Sequence, residues 1–216
     1  MFKTLFKTIK QALAIIGSLS SPSKMPCHGW SIPAKHCKTG QKLRAIVNSI
    51  CFFCYALKGR YPFPNVQKAL QKRLDCFLNN PLWVEAMSFV IWRKEKSGFF
   101  RWFDSGDIQS LDMLEKIVQI AKNLPEITFW LPTREYGFVS QYVAKHGAFP
   151  ENLTVRLSAF MVDGKPPVEL AKRLGCATSG VSAESYTCPA PKQGNKCLDC
   201  RACWMKSVPN VNYKIH

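Results

Sequence analysis

"FFRWFDSGDIQSLDMLEKIVQIAKNLPEITFWLPTRE", residues 99–135, decides the fold. FFRWFD (99–104) reads as a strand. SLDMLEKIVQIAKNL (110–124) is helical, with Ser110 at its N-cap. ITFWL (127–131) is a second strand. Neighbouring parallel strands need a crossover of about a dozen residues or more, and a helix of this length supplies it.

The alternation continues in both directions. Downstream, EYGFVSQYVAKHG (135–147) is a helix closed by Gly147, and LTVRLSAF (153–160) is a strand. PPVELAKRLG (166–175) is a helix ended by Gly175, and CATSGVS (176–182) is a strand. Upstream, PLWVEAMSFVIWRKEKSG (81–98) and NVQKALQKRLDCFLNN (65–80) read as helices, the latter preceded by Pro64, a residue tolerated in a first helical turn. LRAIVNSI (43–50) reads as a short strand that delivers the chain into Cys51. The expected class is α/β: an open parallel sheet or partial (β/α) barrel of about five strands, with cysteine-rich metal-binding loops at both ends. No internal repeat is visible.

The N-terminus carries a different pattern. Phe2, Leu5, Phe6, Ile9, Leu13 and Ile16 recur at helical intervals, with Lys3, Lys7 and Lys10 on another face. Residues 1–20 are expected to form a basic amphipathic helix that docks on its own domain or a partner. Its apolar run is short for a signal-peptide core. GSLSSPSK (17–24) reads as a linker, residues 25–185 as the α/β core, and 186–216 as a C-terminal metal-binding segment.

Composition narrows the class. The 216 residues are 47% hydrophobic and 20% charged, which excludes a disordered chain. No apolar run approaches the roughly 20 residues that span a bilayer. The net charge of +16 attracts polyanions, nucleic acid or nucleotide first. The ten cysteines include C-x2-C pairs, where disulfide closure is awkward and chelation easy. That points to a reducing, cytoplasmic setting.

CPAPKQGNKCLDCRACW (188–204) places Cys188, Cys197, Cys200 and Cys203 in a C-x8-C-x2-C-x2-C spacing. Four thiolates so placed suit a tetrahedral zinc or a cubane iron–sulfur cluster, and two overlapping C-x2-C turns favour the cluster. Cys27, Cys37, Cys51 and Cys54 form a looser group. All four can ligate one metal. Three can hold a cubane and leave one iron open, with Cys27 and Cys37 as rivals. Or Cys51 and Cys54 form a site with His28 or His36. In α/β sheets ligands gather beyond the carboxyl ends of the strands. Asp104, Gly106 and Asp107, then Thr133 and Arg134, then Ser158, then Glu184 follow the strands there. These are the candidate cofactor-binding residues.

C-x2-C-Y-A, followed by a Gly-acidic turn after the next strand, resembles the radical S-adenosylmethionine (SAM) enzymes. CYALKGRY, RWFDSGD, WLPTRE and CLDCRACW are more closely similar to the phage "gene product 88" family, from about residue 25 onward. The radical SAM resemblance implies a partial α/β barrel and a [4Fe-4S] cluster on three cysteines. Its open iron takes the amino and carboxylate groups of SAM, which is cleaved to a 5′-deoxyadenosyl radical. Cys51 and Cys54 then match the last two ligands, Tyr55 the aromatic that follows them, and Gly106–Asp107 the turn that receives the SAM amino group. The family's C-x3-C-x2-C spacing is not met, and Asp stands where Glu is usual. The C-terminal group resembles an auxiliary cluster. The phage resemblance implies a protein made in a bacterial host, and cluster chemistry implies a reductant protein as partner.

Two functions follow as expectations. One is a radical-SAM-like iron–sulfur enzyme acting on a nucleic acid, nucleotide or other anionic substrate. The other is a non-catalytic module, stapled by iron–sulfur or zinc, that binds nucleic acid.

Overall fold

The computed structural model describes residues 5–215. Phe2 and Lys3 of the amphipathic pattern lie outside them. Six strands form a single parallel sheet: β1 (Gly29–Trp30), β2 (Phe99–Trp102), β3 (Thr128–Thr133), β4 (Leu153–Ser158), β5 (Ala177–Ser182) and β6 (Asn210–Lys214). They lie side by side in chain order. That is the order in which the strands of a (β/α) barrel follow one another, here left open between β1 and β6. Right-handed crossovers between strands added in this order put the connecting helices on one face.

Among the described residues, seven α-helices accompany the sheet: α1 (Ile9–Ile16), α2 (Lys38–Arg44), α3 (Pro64–Asn79), α4 (Trp83–Lys94), α5 (Leu111–Asn123), α6 (Tyr136–His146) and α7 (Val168–Arg173). Their ends follow ordinary capping chemistry. Ser110 accepts from the Met113 N–H at 3.1 Å, and Pro64 occupies the first turn of α3. Thr8 and Gln11 form a reciprocal capping box at the start of α1. This helix packs against α3 and α4, so the amphipathic N-terminal helix docks on its own chain. Arg73 of α3 secures it by donating to the carbonyls of Ser18 and Leu19. No helix among the described residues is long and apolar enough to cross a membrane.

The period-two alternation of the strands divides the molecule into an apolar side and a chemical side. Phe100, Trp102, Phe129, Leu131, Leu153, Val155 and Leu157 join α1 and α3–α7 in the main core. Between them, Arg101, Trp130, Thr154 and Arg156 belong to the opposite face of the sheet. The C-terminal segment covers that face. Trp204 meets Trp130 at 5.2 Å between ring centroids, and its backbone carbonyl accepts from Thr154 Oγ1 at 2.7 Å.

The first strand is not 43–50. That stretch holds the end of α2 and a turn, and Ile46 and Val47 are exposed. It pairs only through a single antiparallel bridge, Ser49 to Met161. Asn48 sits at φ +62°, which breaks an extended run. The strand beside β2 is Gly29–Trp30, and the far edge is β6, within the segment expected to be loop.

Candidate functional site

With β1 at residues 29–30, Cys37, Cys51 and Cys54 all lie on the connection from β1 to α3. Cys37 immediately precedes α2. Cys51 follows the Ser49–Met161 bridge, and hydrogen bonds from Ile50 N to Phe160 O (2.8 Å) and from Val162 N to Asn48 O (2.9 Å) hold it at the end of β4. Gly40 of α2 lets the helix approach the thiols. A Cβ on Gly40 would stand 2.8 Å from Cys37 Cβ, 3.6 Å from Cys51 Sγ and 3.7 Å from Cys37 Sγ. Glycine inside a helix costs about 1 kcal/mol against alanine, and this close approach accounts for it.

These thiols line a cavity of about 390 Å³. Asp104, Gly106, Asp107, Thr133, Arg134 and Ser158 line it too, so six of the seven residues expected at the strand ends converge there. Glu184 does not; it is exposed and outside the cavity. Asp104 is already engaged. Its carboxylate accepts from Ser31 Oγ, and from Tyr61 OH at 2.9 Å. Asp107 is buried and bridges two strand ends. It accepts from Thr133 Oγ1 (2.6 Å), Arg134 N (2.9 Å) and Ile108 N (2.8 Å). Burial pushes its carboxyl up to about 6, against the pull of those three donors.

Gly106 makes this turn possible. It adopts φ +84°, and a Cβ there would stand 2.3 Å from Ile32 Cγ1 and 2.8 Å from Ile32 O. Gly106→Ala is therefore expected to destabilise the fold by at least about 2 kcal/mol through backbone strain and overpacking. The urea unfolding midpoint reads this; an unchanged midpoint would mean that the turn can move.

Glu135 positions the first thiol. Its carboxylate accepts from Thr39 N (2.8 Å) and Thr39 Oγ1 (2.9 Å), which pins the first turn of α2 beside Cys37. Arg134 donates from Nε to Ala159 O at 3.0 Å. Burial raises the thiols of Cys37 and Cys51, and the Arg134 charge lowers both.

Three C-terminal cysteines reach the same cavity, while Cys76 and Cys176 lie away from it. Cys188, Cys197 and Cys203 line it. Cys200 is half-buried and outside the lining, and it closes the turn that starts at Cys197 by donating its N–H to Cys197 O at 2.9 Å. Cys203 Sγ lies 3.3 Å from Tyr213 Oη, and burial pushes its thiol up to about 11. Cys27 packs with Trp130 and Trp204, and not with Cys51 and Cys54. Burial, helped by the Glu95 charge, pushes its thiol up to about 12. None of the ten cysteines is in a disulfide. Among the described residues, no three His, Cys, Asp or Glu side chains close to the spacing of a single metal ion. His28 is bound to Glu95 at 3.0 Å and His36 to Gln71 at 3.1 Å, so neither faces the Cys51–Cys54 pair as a free ligand.

Arg101 escaped the sequence reading because it sits inside a strand and not at its end. Its guanidinium lies 4.5 Å from the Trp130 ring centroid, and Nη2 reaches Tyr55 OH and Phe103 O at 3.4 Å each. Its Nε is buried without a hydrogen-bond partner, and no carboxylate forms an ion pair with it among the described residues. With Lys24, Arg44, Arg134 and Lys214 it makes the cavity lining cationic.

No curated protein and no solved structure matches the chain. The model of the family described as Gene product 88 matches residues 3–206, nearly the whole length, and the chain belongs to that family.

Proposed function

We propose that the chain is an iron–sulfur enzyme acting on an anionic substrate. In this reading Cys37, Cys51 and Cys54 hold a [4Fe-4S] cluster with one iron left open for SAM. The observation that carries it is the convergence of these thiols with the ends of β2, β3 and β4 on one cavity of about 390 Å³. A volume in that range suits a small molecule of nucleotide size.

The thiols fit the cluster better than a lone zinc. Sulfurs around one tetrahedral zinc stand about 3.8 Å apart, given a Zn–S bond of about 2.3 Å. Here Cys37, Cys51 and Cys54 line the cavity without closing to the spacing of one ion, and a cubane is larger than an ion. Gly40 supports the fit, since its missing side chain leaves Cys37 and Cys51 uncovered. When bound and reduced, such a cluster supplies the electron that cleaves a sulfonium. The protein's own groups bind and orient. Arg134 forks onto a carboxylate. Asp107 Oδ2, which accepts one hydrogen bond, receives an ammonium. Asp104, already engaged, fixes Tyr61 and Ser31 and does not bind ligand directly. Arg101 and Lys214 take the anionic substrate, a nucleotide or an exposed part of a nucleic acid. A reductant protein is the expected partner, in the cytoplasm of a phage-infected cell.

The test is anaerobic purification with iron, sulfide and zinc counted per chain, then incubation with SAM and strong reductant. The expected result is bound iron with matching sulfide, and 5′-deoxyadenosine formed in proportion to it. Intact clusters without SAM cleavage would overturn the enzyme reading. If such a sample also bound nucleic acid with steep salt dependence, the stapled binding module would take its place.

A further inference from the structure

Cys27 departs from its sequence neighbours in a way that reassigns it. β1 separates it from Cys37, and it lies where the N-terminal and C-terminal segments meet. The Cys197 N–H donates to Lys24 O at 3.0 Å, and Cys197 Sγ lies 3.9 Å from Met25 Sδ. Cys27 is 6% exposed and shares a small core with Trp130 and Trp204, against which Met25, Cys203 and Tyr213 pack. The thiols are close enough for their charges to interact: Cys27 with Cys197, Cys197 with Cys188 and with Cys200, and Cys188 with Cys203.

We infer that Cys27 is a ligand of a second iron–sulfur cluster, which it holds together with Cys188, Cys197 and Cys203. The inference rests on the iron–sulfur reading and divides the cysteines differently from their order in the chain. Cys37, Cys51 and Cys54 form the open centre. Cys27 joins the cavity-lining Cys188, Cys197 and Cys203 in a closed one, and Cys200, which belongs neither to the cavity lining nor to the Trp130–Trp204 core, is left over.

Charge supports the assignment. Arg101 lies over Trp130 and Arg201 over Phe99, at 4.5 and 5.2 Å from the ring centroids, and both charges reach Cys27. The Asp104 charge acts on Arg101 without an ion-pair contact, and a partly buried guanidinium without such a contact is costly. Four thiolates around iron carry net negative charge and offset it. The closed centre also ties the segment before β1 to the segment before β6, the two free edges of the open sheet.

The test uses the full chain with Cys37, Cys51 and Cys54 all replaced by Ser, so that any remaining iron belongs to the second centre. Each protein is reconstituted anaerobically with iron and sulfide. In that background Cys27→Ser and Cys27→Ala are expected to lower iron and sulfide at least about tenfold. Cys200→Ser is expected to keep them, as is Cys76→Ser, whose buried thiol donates to Ala14 O away from the cavity. Far-UV circular dichroism of the metal-free proteins shows that each variant folds. Iron retained in both Cys27 variants, or lost in Cys200→Ser, would overturn the ligand set. A wild-type chain that binds neither iron nor sulfide would instead sink the iron–sulfur reading itself.

Discussion

Arg156→Met is expected to destabilise the chain by about 3–5 kcal/mol, the scale for removing one member of a buried charged network. Arg156 is fully buried in the middle of β4. Its Nε donates to Cys203 O at 2.9 Å and its Nη1 to Thr178 O at 3.0 Å. Nη2 reaches Ala202 O (2.7 Å), Met205 O (2.9 Å) and Val208 O (2.9 Å). No carboxylate pairs with it among the described residues, so carbonyl dipoles alone carry its charge. Methionine fills much of the volume but strands these carbonyls, at about 1–3 kcal/mol for each that finds no water. Lysine keeps the charge but has three donors on one atom and cannot span acceptors on both sides of the strand. Arg156→Lys should therefore recover only part of the loss. Urea unfolding of the metal-free proteins measures both. A change under about 1 kcal/mol in Arg156→Met would mean that water replaces the guanidinium and that segment 202–208 is anchored by other contacts.

The same residue shows what the sequence could and could not disclose. Residues 153–158 are legible as a strand from their apolar, β-branched character. Leu153, Val155 and Leu157 alternate with Thr154, Arg156 and Ser158, which reads as one core face and one solvent face, yet all six are buried because the C-terminal segment covers the polar face. An arginine in such a run gives no sign that it organises a loop some 50 residues away. Arg101 was hidden for the same reason. The polar residues at strand ends were legible, because burial stops where a parallel strand leaves the sheet, and six of those seven meet at the cavity. Glu184 failed because the chain turns outward after Ser182, and Ser182 Oγ is used in accepting from the backbone of Glu184 and Ser185.

The edges of the sheet were the least legible part. β1 is two residues long, below the usual range for a strand, and nothing in HGW announces it. LRAIVNSI has the composition of a strand, yet its apolar side chains include the exposed Ile46 and Val47. Misplacing that first strand had a chemical consequence. It set Cys37 and Cys27 on the same side of the strand as equal rivals. With the strand at 29–30, one thiol precedes it and the other follows it. Only the residues after β1 can be gathered over the carboxyl ends of β2, β3 and β4 by one connection.

Gly40→Ala is expected to empty the Cys37–Cys51–Cys54 centre almost as thoroughly as Cys37→Ser, although it removes no ligand. In an ordinary helix this substitution stabilises by about 1 kcal/mol. Here the new methyl would stand 2.8 Å from Cys37 Cβ, a distance that real Cβ atoms do not tolerate. The conflict has two ways out. α2 can retreat, but Glu135 holds its first turn through both Thr39 donors. Cys37 can turn away instead, and then its sulfur no longer faces Cys51. Either response breaks the three-thiol geometry, and a loss of about 10–100-fold in iron retention is the scale for displacing the support of a metal ligand. The measurement is iron and sulfide per chain after anaerobic reconstitution of a Cys27→Ser background, in which the second centre is disabled. Unfolding of the metal-free proteins is followed in parallel. Full iron content in Gly40→Ala would show that the cluster does not use the space beside Gly40. Full content in Cys37→Ser would remove Cys37 from the ligand set. Loss in both, with the metal-free Gly40→Ala chain no less stable than wild type, would tie this glycine to the metal and not to the fold.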